Sequence, residues 1–357
     1  KFKSQKELEI IKGKGKKESL VGKKIIVATG SSPSIPSIKG IEEVGYLTSN
    51  DIWGLNEKLE SLTIIGGGSI GVEIGQALLR FGTKVTIVEA ADRILSNSEP
   101  EISKKLTEIL EKEGMEIITK ARVSKIEKEN GFKVLEVITN KGIKKIKAEE
   151  ILVATGRKPN TKELNLELAK VKTDDKGFIL VNEYMKTSNP KIYAAGDVVS
   201  KNIMLETLSA REGSIAATNA LMGDKEKIDY TSVPSVVFTN PNVASVGLTE
   251  KEAMQKYNTC FCRVINLDKV AKARIINEYE GLVKIVVNPN NEKILGIHVL
   301  APYAAEFIVE GALAIKYGLT LEEIINLVHV FPTVAESIKI AAQSFRRDIN
   351  KMSCCVE

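Results

Sequence analysis

Two stretches of the chain repeat one arrangement of apolar and small residues. Residues 23–33 ("KKIIVATGSSP") and 149–159 ("EEILVATGRKP") each begin with an apolar run, pass through Ala-Thr-Gly and end at a proline. A short apolar run bounded by turn residues is typical of a buried strand. The repetition predicts two related nucleotide-binding units.

Between these two stretches, the pattern alternates between strand-like and helix-like segments. Residues 62–95 predict a strand, a glycine-rich turn, an amphipathic helix and a second strand. A charged helix is expected near 98–113, short strands up to 147, a strand and turn over 189–199, and a helix over 209–222. Strands that alternate with helices indicate a parallel sheet.

The pattern changes at Val233. The following "VPSVVFTNPNVASVGLTE" has β-branched runs broken by proline and glycine, and further strands are predicted around 284–287 and 294–300. Three helices are predicted at the end, over 304–317, 321–327 and 334–345. This last part of the chain is expected to be an α+β module distinct from the parallel part before it.

The glycine-rich turn has the spacing of a dinucleotide site. Gly66, Gly68 and Gly71 form G-x-G-x-x-G between an apolar strand and a helix. The glycines permit a tight turn and close approach of the backbone to a pyrophosphate. The predicted helix start at Ser69 offers free N–H groups to the phosphates, and Gly75 allows the helix to pack closely on the sheet.

An acidic residue follows the glycines at the distance expected for ribose binding. Glu89 lies at the end of the next predicted strand, where a carboxylate accepts a hydrogen bond from the ribose 2′-hydroxyl. A carboxylate there repels a 2′-phosphate, which favours NADH. Arg93 is close enough along the chain to keep NADPH open.

Composition excludes several classes of function. The 357 residues carry a net charge of +5 with basic residues scattered among 46 acids, which argues against nucleic-acid binding. No apolar run is long enough for a bilayer, so no membrane partner is expected. Four cysteines are too few for a disulfide scaffold and favour a reducing setting, so the predicted location is the cytoplasm.

Four motifs together resemble the flavin-dependent pyridine nucleotide–disulfide oxidoreductases. They are "IVATGSSP", "ATGRKPN", "IYAAGDVV" and "VFTNPNVASVGLTE", in the order and spacing of that family. The resemblance implies an α/β fold, with Rossmann-like FAD-binding and NAD(P)H-binding domains followed by a C-terminal α+β dimerisation domain. It also implies FAD and NADH or NADPH as cofactors, and a homodimer.

The resemblance assigns roles residue by residue. Thr29 and Gly30 are expected near FAD, and Asp197, after Gly196, is expected to bind its ribityl chain. Glu73 is expected beside the nicotinamide and flavin. Residues 154–157, with Gly156 among them, are expected to flank the pyridine nucleotide.

The family's front part has no counterpart in these residues. Its first G-x-G-x-x-G and its redox-active C-x-x-x-x-C are missing, so the chain by itself is expected to be inactive. The predicted domains are 1–56 (remnant of the FAD domain), 57–176 (NAD(P)H-binding), 177–232 (second part of the FAD domain), 233–346 (dimerisation) and 347–357 (flexible Cys-Cys tail).

One position separates the members of this family. Lipoamide dehydrogenases and glutathione reductases carry an acid–base histidine directly before a proline, paired with a downstream glutamate. Here Phe331 precedes Pro332, and a phenyl ring cannot transfer a proton. His329 is interpreted as a helix-end or core residue. Glu336 is read either as half of a Thr333–Glu336 capping box or as a catalytic residue.

The chain ends in "KMSCCVE", with adjacent thiols at Cys354 and Cys355. Mercuric reductases resemble this family, lack the histidine and end in the same pair. Hg(II) is soft and prefers thiolates, so both cysteines are predicted as metal ligands that deliver thiol-bound Hg(II) to the partner subunit's site for reduction. The resemblance thus implies mercury(II) reduction.

Other readings stay open from the sequence. A disulfide reductase like dihydrolipoamide dehydrogenase is the main alternative. A flavoprotein relic that binds a metal or a partner, and a coenzyme A disulfide or persulfide reductase, are two more. Cys260 and Cys262 form a C-x-C in a strand-like segment, where residues i and i+2 share a face, so a soft-metal site competes with a structural role.

Overall fold

The computed structural model describes residues 1–201 and 203–349, which form two compact units. The first unit combines Lys1–Ser34 with Gly156–Tyr230, and the second combines Ile35–Thr155 with residues 231–349. The elements of the first unit are β1 (Glu7–Ile11), β2 (Lys17–Val21), β3 (Ile25–Val27), β4 (Ser31–Pro33), β12 (Arg157–Pro159), β13 (Ile192–Ala194), α4 (Glu206–Met222) and the 3-10 turn Gly13–Gly15.

Two short apolar strands of the first unit pair in parallel. In β3 and β13, Ile25 lies opposite Ile192, and Val27 lies opposite Ala194. Every residue of β13 is buried, as expected for an apolar run with neighbours on both faces. Helix α4 adds Ile215 to the same core. The strand predicted within 189–199 and the helix predicted over 209–222 are therefore confirmed.

The second unit contains the longer elements. Its first part has α1 (Ile41–Val44), the 3-10 turn Ile52–Gly54, β5 (Ser61–Ile65), α2 (Ser69–Arg80), β6 (Lys84–Val88), α3 (Pro100–Lys112), β7 (Glu116–Ile118), β8 (Arg122–Glu129), β9 (Phe132–Thr139), β10 (Gly142–Ala148) and β11 (Glu150–Val153). Four strands form a parallel sheet in the order β11-β5-β6-β7, and β8, β9 and β10 form an antiparallel sheet. This is the arrangement expected from strands that alternate with helices.

The rest of the second unit is the predicted α+β module. It contains β14 (Ser235–Val237), β15 (Asn242–Gly247), α5 (Glu250–Tyr257), β16 (Phe261–Asn266), the 3-10 turn Leu267–Lys269, α6 (Ala271–Ile275), β17 (Leu282–Val287), β18 (Ile294–Ala301), α7 (Ala304–Tyr317), α8 (Leu321–Asn326) and α9 (Ser337–Gln343). The antiparallel sheet has the order β14-β15-β18-β17-β16. Within the described ranges, none of the helices combines the length and apolarity needed to cross a bilayer.

Both parts of the second unit share one core. Leu282 and Leu300, from the antiparallel sheet, are buried in the same cluster as Leu62 of β5. The Gln76 side chain donates to the Asn240 carbonyl at 2.8 Å and accepts from the Asn240 N–H at 2.8 Å. Apolar burial and paired amides thus hold the part with the parallel sheet to the part with the five-stranded antiparallel sheet.

A buried ammonium reinforces this junction. Lys284 in β17 and Glu99 before α3 are each 1% exposed, and Lys284 Nζ lies 2.9 Å from Glu99 Oε2. The same ammonium donates to Glu101 at 2.9 Å and to Glu250 at 2.6 Å. Burial by itself would lower the pKa of Lys284, but these hydrogen bonds outweigh it and raise the pKa. The lysine is therefore held charged.

The compact units break at positions other than the predicted domain bounds. Residues 35–56 belong to the second unit, where Ile41 is buried with Ile126. Residues 156–176 belong to the first unit, where Leu166 is part of the core. The chain passes from one compact unit to the other after Ser34 and again after Thr155. The functional domain bounds stay predictions.

Candidate functional site

The glycine-rich turn joins β5 to α2, which begins at Ser69 with Gly68 as its N-cap. Gly66 has φ +109°, and a Cβ added there would lie 2.4 Å from the Ala154 carbonyl oxygen. A Cβ on Gly71 would lie 2.1 Å from the Gly66 carbonyl oxygen. These two positions need glycine because backbone packs directly against them.

The middle glycine of the motif, Gly68, is different, because it faces open space. A Cβ on Gly68 would meet nothing within 4 Å, and its φ of −76° and ψ of −175° suit any residue. Gly68 and Ser69 are both exposed at the start of α2. The free N–H groups of the first helical turn and the positive end of the helix dipole therefore border a space that can take a phosphate.

Replacing Gly68 with alanine is expected to weaken NADH binding roughly tenfold or more. The added methyl group would occupy the space in which a pyrophosphate approaches the backbone. The free energy of unfolding should fall by no more than about 1 kcal/mol, the loss expected from an alanine at an N-cap. Titration of NADH fluorescence and urea unfolding of the 357-residue chain measure the two quantities. Unchanged affinity would remove Gly68 from the site.

Glu89 is held directly against the glycine-rich turn. Its Oε2 accepts a hydrogen bond from the Gly67 N–H at 2.6 Å, and its Oε1 accepts one from the Ala91 N–H at 2.6 Å. Each oxygen keeps a further lone pair that can accept from a ribose hydroxyl. The guanidinium of Arg93 is engaged locally, since it donates to Asp92 at 3.2 Å and to the Ser96 carbonyl at 2.8 Å.

Glu73 lies one helical turn beyond the start of α2. Its Oε1 accepts a hydrogen bond from the Phe238 N–H at 2.7 Å. Burial raises the pKa of Glu73, and this hydrogen bond opposes the shift. The sequence predicted a place near the nicotinamide, but the Phe238 contact was not foreseen, because the two residues are 165 positions apart.

Asp197 and Gly30 lie just beyond the C-terminal ends of the parallel strands β13 and β3. Asp197 Oδ2 accepts a hydrogen bond from the Ser31 hydroxyl at 2.7 Å. The guanidinium of Arg157 donates to Ser31 Oγ at 2.7 Å and lies 3.8 Å from the Asp197 carboxylate. Gly30 and Gly196 have φ of +68° and +78°, so both turns use the left-handed region. Ligands of α/β sheets bind at such strand ends.

Thr29 is held in place by Asn160. Its carbonyl accepts a hydrogen bond from the Asn160 side chain at 2.9 Å, and the Asn160 N–H donates to the Gly30 carbonyl at 3.0 Å. The expected residues at 154–157 divide between the two units. Gly156 and Arg157 belong to the first, where Arg157 binds Ser31, whereas the Ala154 carbonyl lies against Gly66 in the second.

A buried carboxylate supports the Gly196 turn, and sequence reasoning missed it. Glu212 in α4 is 2% exposed and accepts hydrogen bonds from the Gly196 N–H and the Tyr230 hydroxyl, each at 2.7 Å. Burial raises the pKa of Glu212 and also that of Tyr230. Along the sequence Glu212 is one polar residue in a helix, so no local signal marked it.

The segment before α9 contains the predicted acid–base position. The Phe331 ring is 46% exposed. His329 Nε2 lies 2.9 Å from Glu310 Oε1, and its Nδ1 lies 3.1 Å from the Leu327 carbonyl oxygen. The hydrogen bond to Glu310 raises the pKa of His329. The histidine therefore forms a pair with Glu310 that the sequence did not predict, and its interpretation as a helix-end or core residue stays a prediction.

The predicted capping box at Thr333 and Glu336 is only half formed. The Thr333 hydroxyl accepts a hydrogen bond from the Glu336 N–H at 3.3 Å, but α9 begins at Ser337. Glu336 Oε2 is buried and has no hydrogen-bond partner among the described residues. Burial raises the pKa of Glu336. The box prediction is corrected, because α9 begins at Ser337 and the reciprocal bond from the Thr333 N–H to the Glu336 carboxylate is not made.

The tail cysteines cannot be placed in this geometry. Cys354 and Cys355 lie outside the described residues. Their predicted role as Hg(II) ligands remains a prediction from the sequence.

Comparisons with known proteins agree with the fold. The family model described as pyridine nucleotide-disulphide oxidoreductase matches residues 1–213, and that of the family's dimerisation domain matches 233–342. In the Cu(II) complex of the HOCl-induced flavoprotein disulfide reductase RclA from Escherichia coli, the matched chain is 27% identical, with a TM-score of 0.87, and the match covers 97% of this chain and 77% of that one.

Two curated relatives are of similar identity. Mercuric reductase of Staphylococcus aureus is 41% identical over 95% of this chain and 62% of its own length. The mitochondrial dihydrolipoyl dehydrogenase of Pisum sativum is 38% identical over 96% of this chain and 69% of its own length. The chain therefore spans less than two thirds of the first relative. With both domain models matched and the predicted fold class confirmed, the chain belongs to the pyridine nucleotide-disulphide oxidoreductase family.

Proposed function

We propose that the complete protein is an NAD(P)H-dependent flavoprotein that reduces thiol-bound Hg(II) to elemental mercury. Cys354 and Cys355 would take the ion from solution and pass it on by ligand exchange. The proposed location is the cytoplasm, where thiols stay reduced. The similarity to the mercuric reductase of Staphylococcus aureus supports this reading, although the dihydrolipoyl dehydrogenase is nearly as similar.

One observation carries the choice between these two activities. The residue before Pro332 is Phe331, and the nearby His329 is paired with Glu310. A reductase of organic disulfides needs an acid–base group for its thiols, and the position directly before the proline, where the family carries that group, holds a phenyl ring here. Reduction of Hg(II) has no such requirement, since the ion accepts two electrons and its thiolate ligands need no proton from the enzyme.

The residues present suit both cofactors. The space before α2 and the Glu89 carboxylate fit a dinucleotide, and Asp197 has an Oδ1 available beside the Gly30 turn for a flavin hydroxyl. Bound FAD would supply two-electron transfer between the dihydronicotinamide and the substrate. Glu73 would border the nicotinamide. Because its pKa is raised, the neutral form of its carboxyl group is more favoured than it is for a glutamate in water.

Glu89 supports NADH as the preferred nucleotide. Both of its oxygens are anchored by backbone N–H groups, so the carboxylate cannot swing away from a 2′-phosphate without losing them. Arg93, the residue that could compensate, donates to Asp92 and Ser96 instead. Repulsion of the 2′-phosphate is therefore proposed to dominate.

The dimerisation domain exposes apolar side chains that suit a homodimer. On one face of α7, Val309, Leu313 and Tyr317 are 54%, 50% and 70% exposed. Val328 and Val330, in the segment that leads to Phe331, are 88% and 76% exposed. Contiguous exposed apolar residues are typical of subunit interfaces. A second copy of the chain is the proposed partner of this surface, and the tail is proposed to serve the site of that copy.

The test uses the complete reading frame loaded with FAD. Oxidation of NADH and of NADPH is followed with and without thiol-bound Hg(II). Oxidation that depends on Hg(II) supports the proposal and identifies the nucleotide. Turnover of dihydrolipoamide without a response to Hg(II) would establish the alternative activity instead.

The double substitution Cys354→Ala and Cys355→Ala in the complete protein is expected to lower the rate with thiol-bound Hg(II) by roughly tenfold or more. The reason is that ligand exchange from the carrier thiol to the protein would lose its acceptor. Oxidation of the nucleotide by a small artificial acceptor serves as the control and should not change. An unaltered rate with thiol-bound Hg(II) would exclude the tail from delivery.

A further inference from the structure

The C-x-C cysteines take no part in the proposed reaction, yet the structure brings their sulfur atoms together. Cys260 directly precedes the edge strand β16, and Cys262 lies within it. Their Sγ atoms are 3.2 Å apart, and both thiols are free and partly buried. Residues i and i+2 of a strand share a face, so the backbone fixes the pair as a chelate.

A carboxylate completes the group from a neighbouring helix. Glu250 is the first residue of α5, and its carboxylate oxygen and the two Sγ atoms all lie within 4.8 Å of one another. Glu250 Oε2 also accepts a hydrogen bond from Lys284 at 2.6 Å. The carboxylate is therefore oriented toward the cysteines by a contact that leaves its other oxygen available.

The charge around this group favours a cation. Lys284 is shared among Glu99, Glu101 and Glu250, so three carboxylates face one ammonium. Nearby His298 is buried, and burial lowers its pKa, which keeps the ring neutral. Excess negative charge therefore lies next to the two thiols.

We propose that Cys260, Cys262 and Glu250 form a binding site for a soft divalent cation of the zinc, cadmium and mercury class. Two sulfur ligands select a thiophilic metal, and one carboxylate oxygen supplies a third donor. Tetrahedral coordination at about 2.3 Å requires sulfur atoms about 3.8 Å apart, which a small rotation of the two side chains provides. None of these three residues belongs to the proposed reaction site, so the proposal does not depend on that reaction.

Binding at this site is an exchange of protons for a metal. Burial raises the pKa of the Cys262 thiol, with further contributions from Cys260 and Glu250. One M²⁺ ion would displace two protons and form two metal–thiolate bonds. No oxidant or reductant is involved, which separates this chemistry from formation of a disulfide between the same two sulfur atoms.

The test uses the 357-residue chain with Cys354→Ala and Cys355→Ala, which leaves Cys260 and Cys262 as its only cysteines. The reduced protein is titrated anaerobically with Cd(II), and the thiolate-to-cadmium charge-transfer absorbance is recorded. One Cd(II) per chain is expected. Cys260→Ser and Cys262→Ser should each weaken binding by roughly tenfold or more, and Glu250→Gln by roughly tenfold. Glu278→Gln removes an exposed carboxylate of the same domain and should have no effect.

A second measurement keeps the test independent of how well the variants fold. In the complete protein, Cd(II) should protect Cys260 and Cys262 from alkylation, as read by peptide mass spectrometry. Absence of the charge-transfer band in reduced, folded protein would overturn the proposal. Cd(II) binding that survives Cys262→Ser would also overturn the proposal. So would recovery of Cys260 and Cys262 from the protein only as a disulfide.

Discussion

Replacing Lys284 with methionine is expected to lower the free energy of unfolding by roughly 3–5 kcal/mol. The substitution removes the ammonium that neutralises Glu99, which is 1% exposed, and leaves that carboxylate buried without a cation. Methionine keeps most of the volume of the lysine stem, so the loss measures charge rather than packing. Urea unfolding, followed by circular dichroism, gives the value.

Lys112→Met is the matched control, because Lys112 pairs with Glu280 where both side chains are exposed. Such a pair contributes at most about 1 kcal/mol. Adding Glu99→Gln to the Lys284 variant should recover part of the loss, since the stranded charge disappears. A Lys284 variant no less stable than the Lys112 variant would contradict the buried-charge argument.

Gly66→Ala is expected to abolish measurable NADH binding and to lower the free energy of unfolding by roughly 1–3 kcal/mol from backbone strain alone. The position has φ +109°, and the new Cβ would lie 2.4 Å from the Ala154 carbonyl oxygen. Backbone on both sides must move, so the turn that faces the nucleotide cannot keep its shape. Urea unfolding and NADH titration measure the two effects.

Gly114→Ala separates the effect of backbone strain from the effect of the contact with Ala154. Gly114 has a similar φ of +103°, but a Cβ there would meet nothing within 4 Å. It should lose stability from strain alone and keep its affinity for NADH. If Gly66→Ala and Gly114→Ala had equal effects on both quantities, the contact with Ala154 would be unimportant.

Local patterns predicted the elements whose signals are contiguous in the sequence. The helix predicted over 304–317 has those bounds in the structure, because its apolar periodicity ends at Gly318, which adopts a left-handed conformation. The helix predicted from 334 begins instead at Ser337. Thr333 and Glu336 have the spacing of a capping box, but only the bond from the Glu336 N–H to the Thr333 hydroxyl forms, which the spacing by itself does not reveal.

The same contrast holds for the candidate site. Gly66, Gly68, Gly71 and Glu89 were predictable, since their spacing along one strand–helix–strand segment specifies the turn. The partners of Asp197 were not, because Ser31 is 166 residues away and is itself held by Arg157. The buried Glu212 carries no pattern at all. Contacts of this kind depend on tertiary packing, which a single sequence does not encode locally.

The core shared by Leu62, Leu282 and Leu300 affects how the second compact unit unfolds locally. The strands β5 and β17 lie in regions matched by different family models, yet side chains of both are buried in one cluster. Hydrogen exchange in these two strands should therefore proceed through one opening event with a common free energy. The two family models therefore share one packed unit, and we expect that unit to open as a whole.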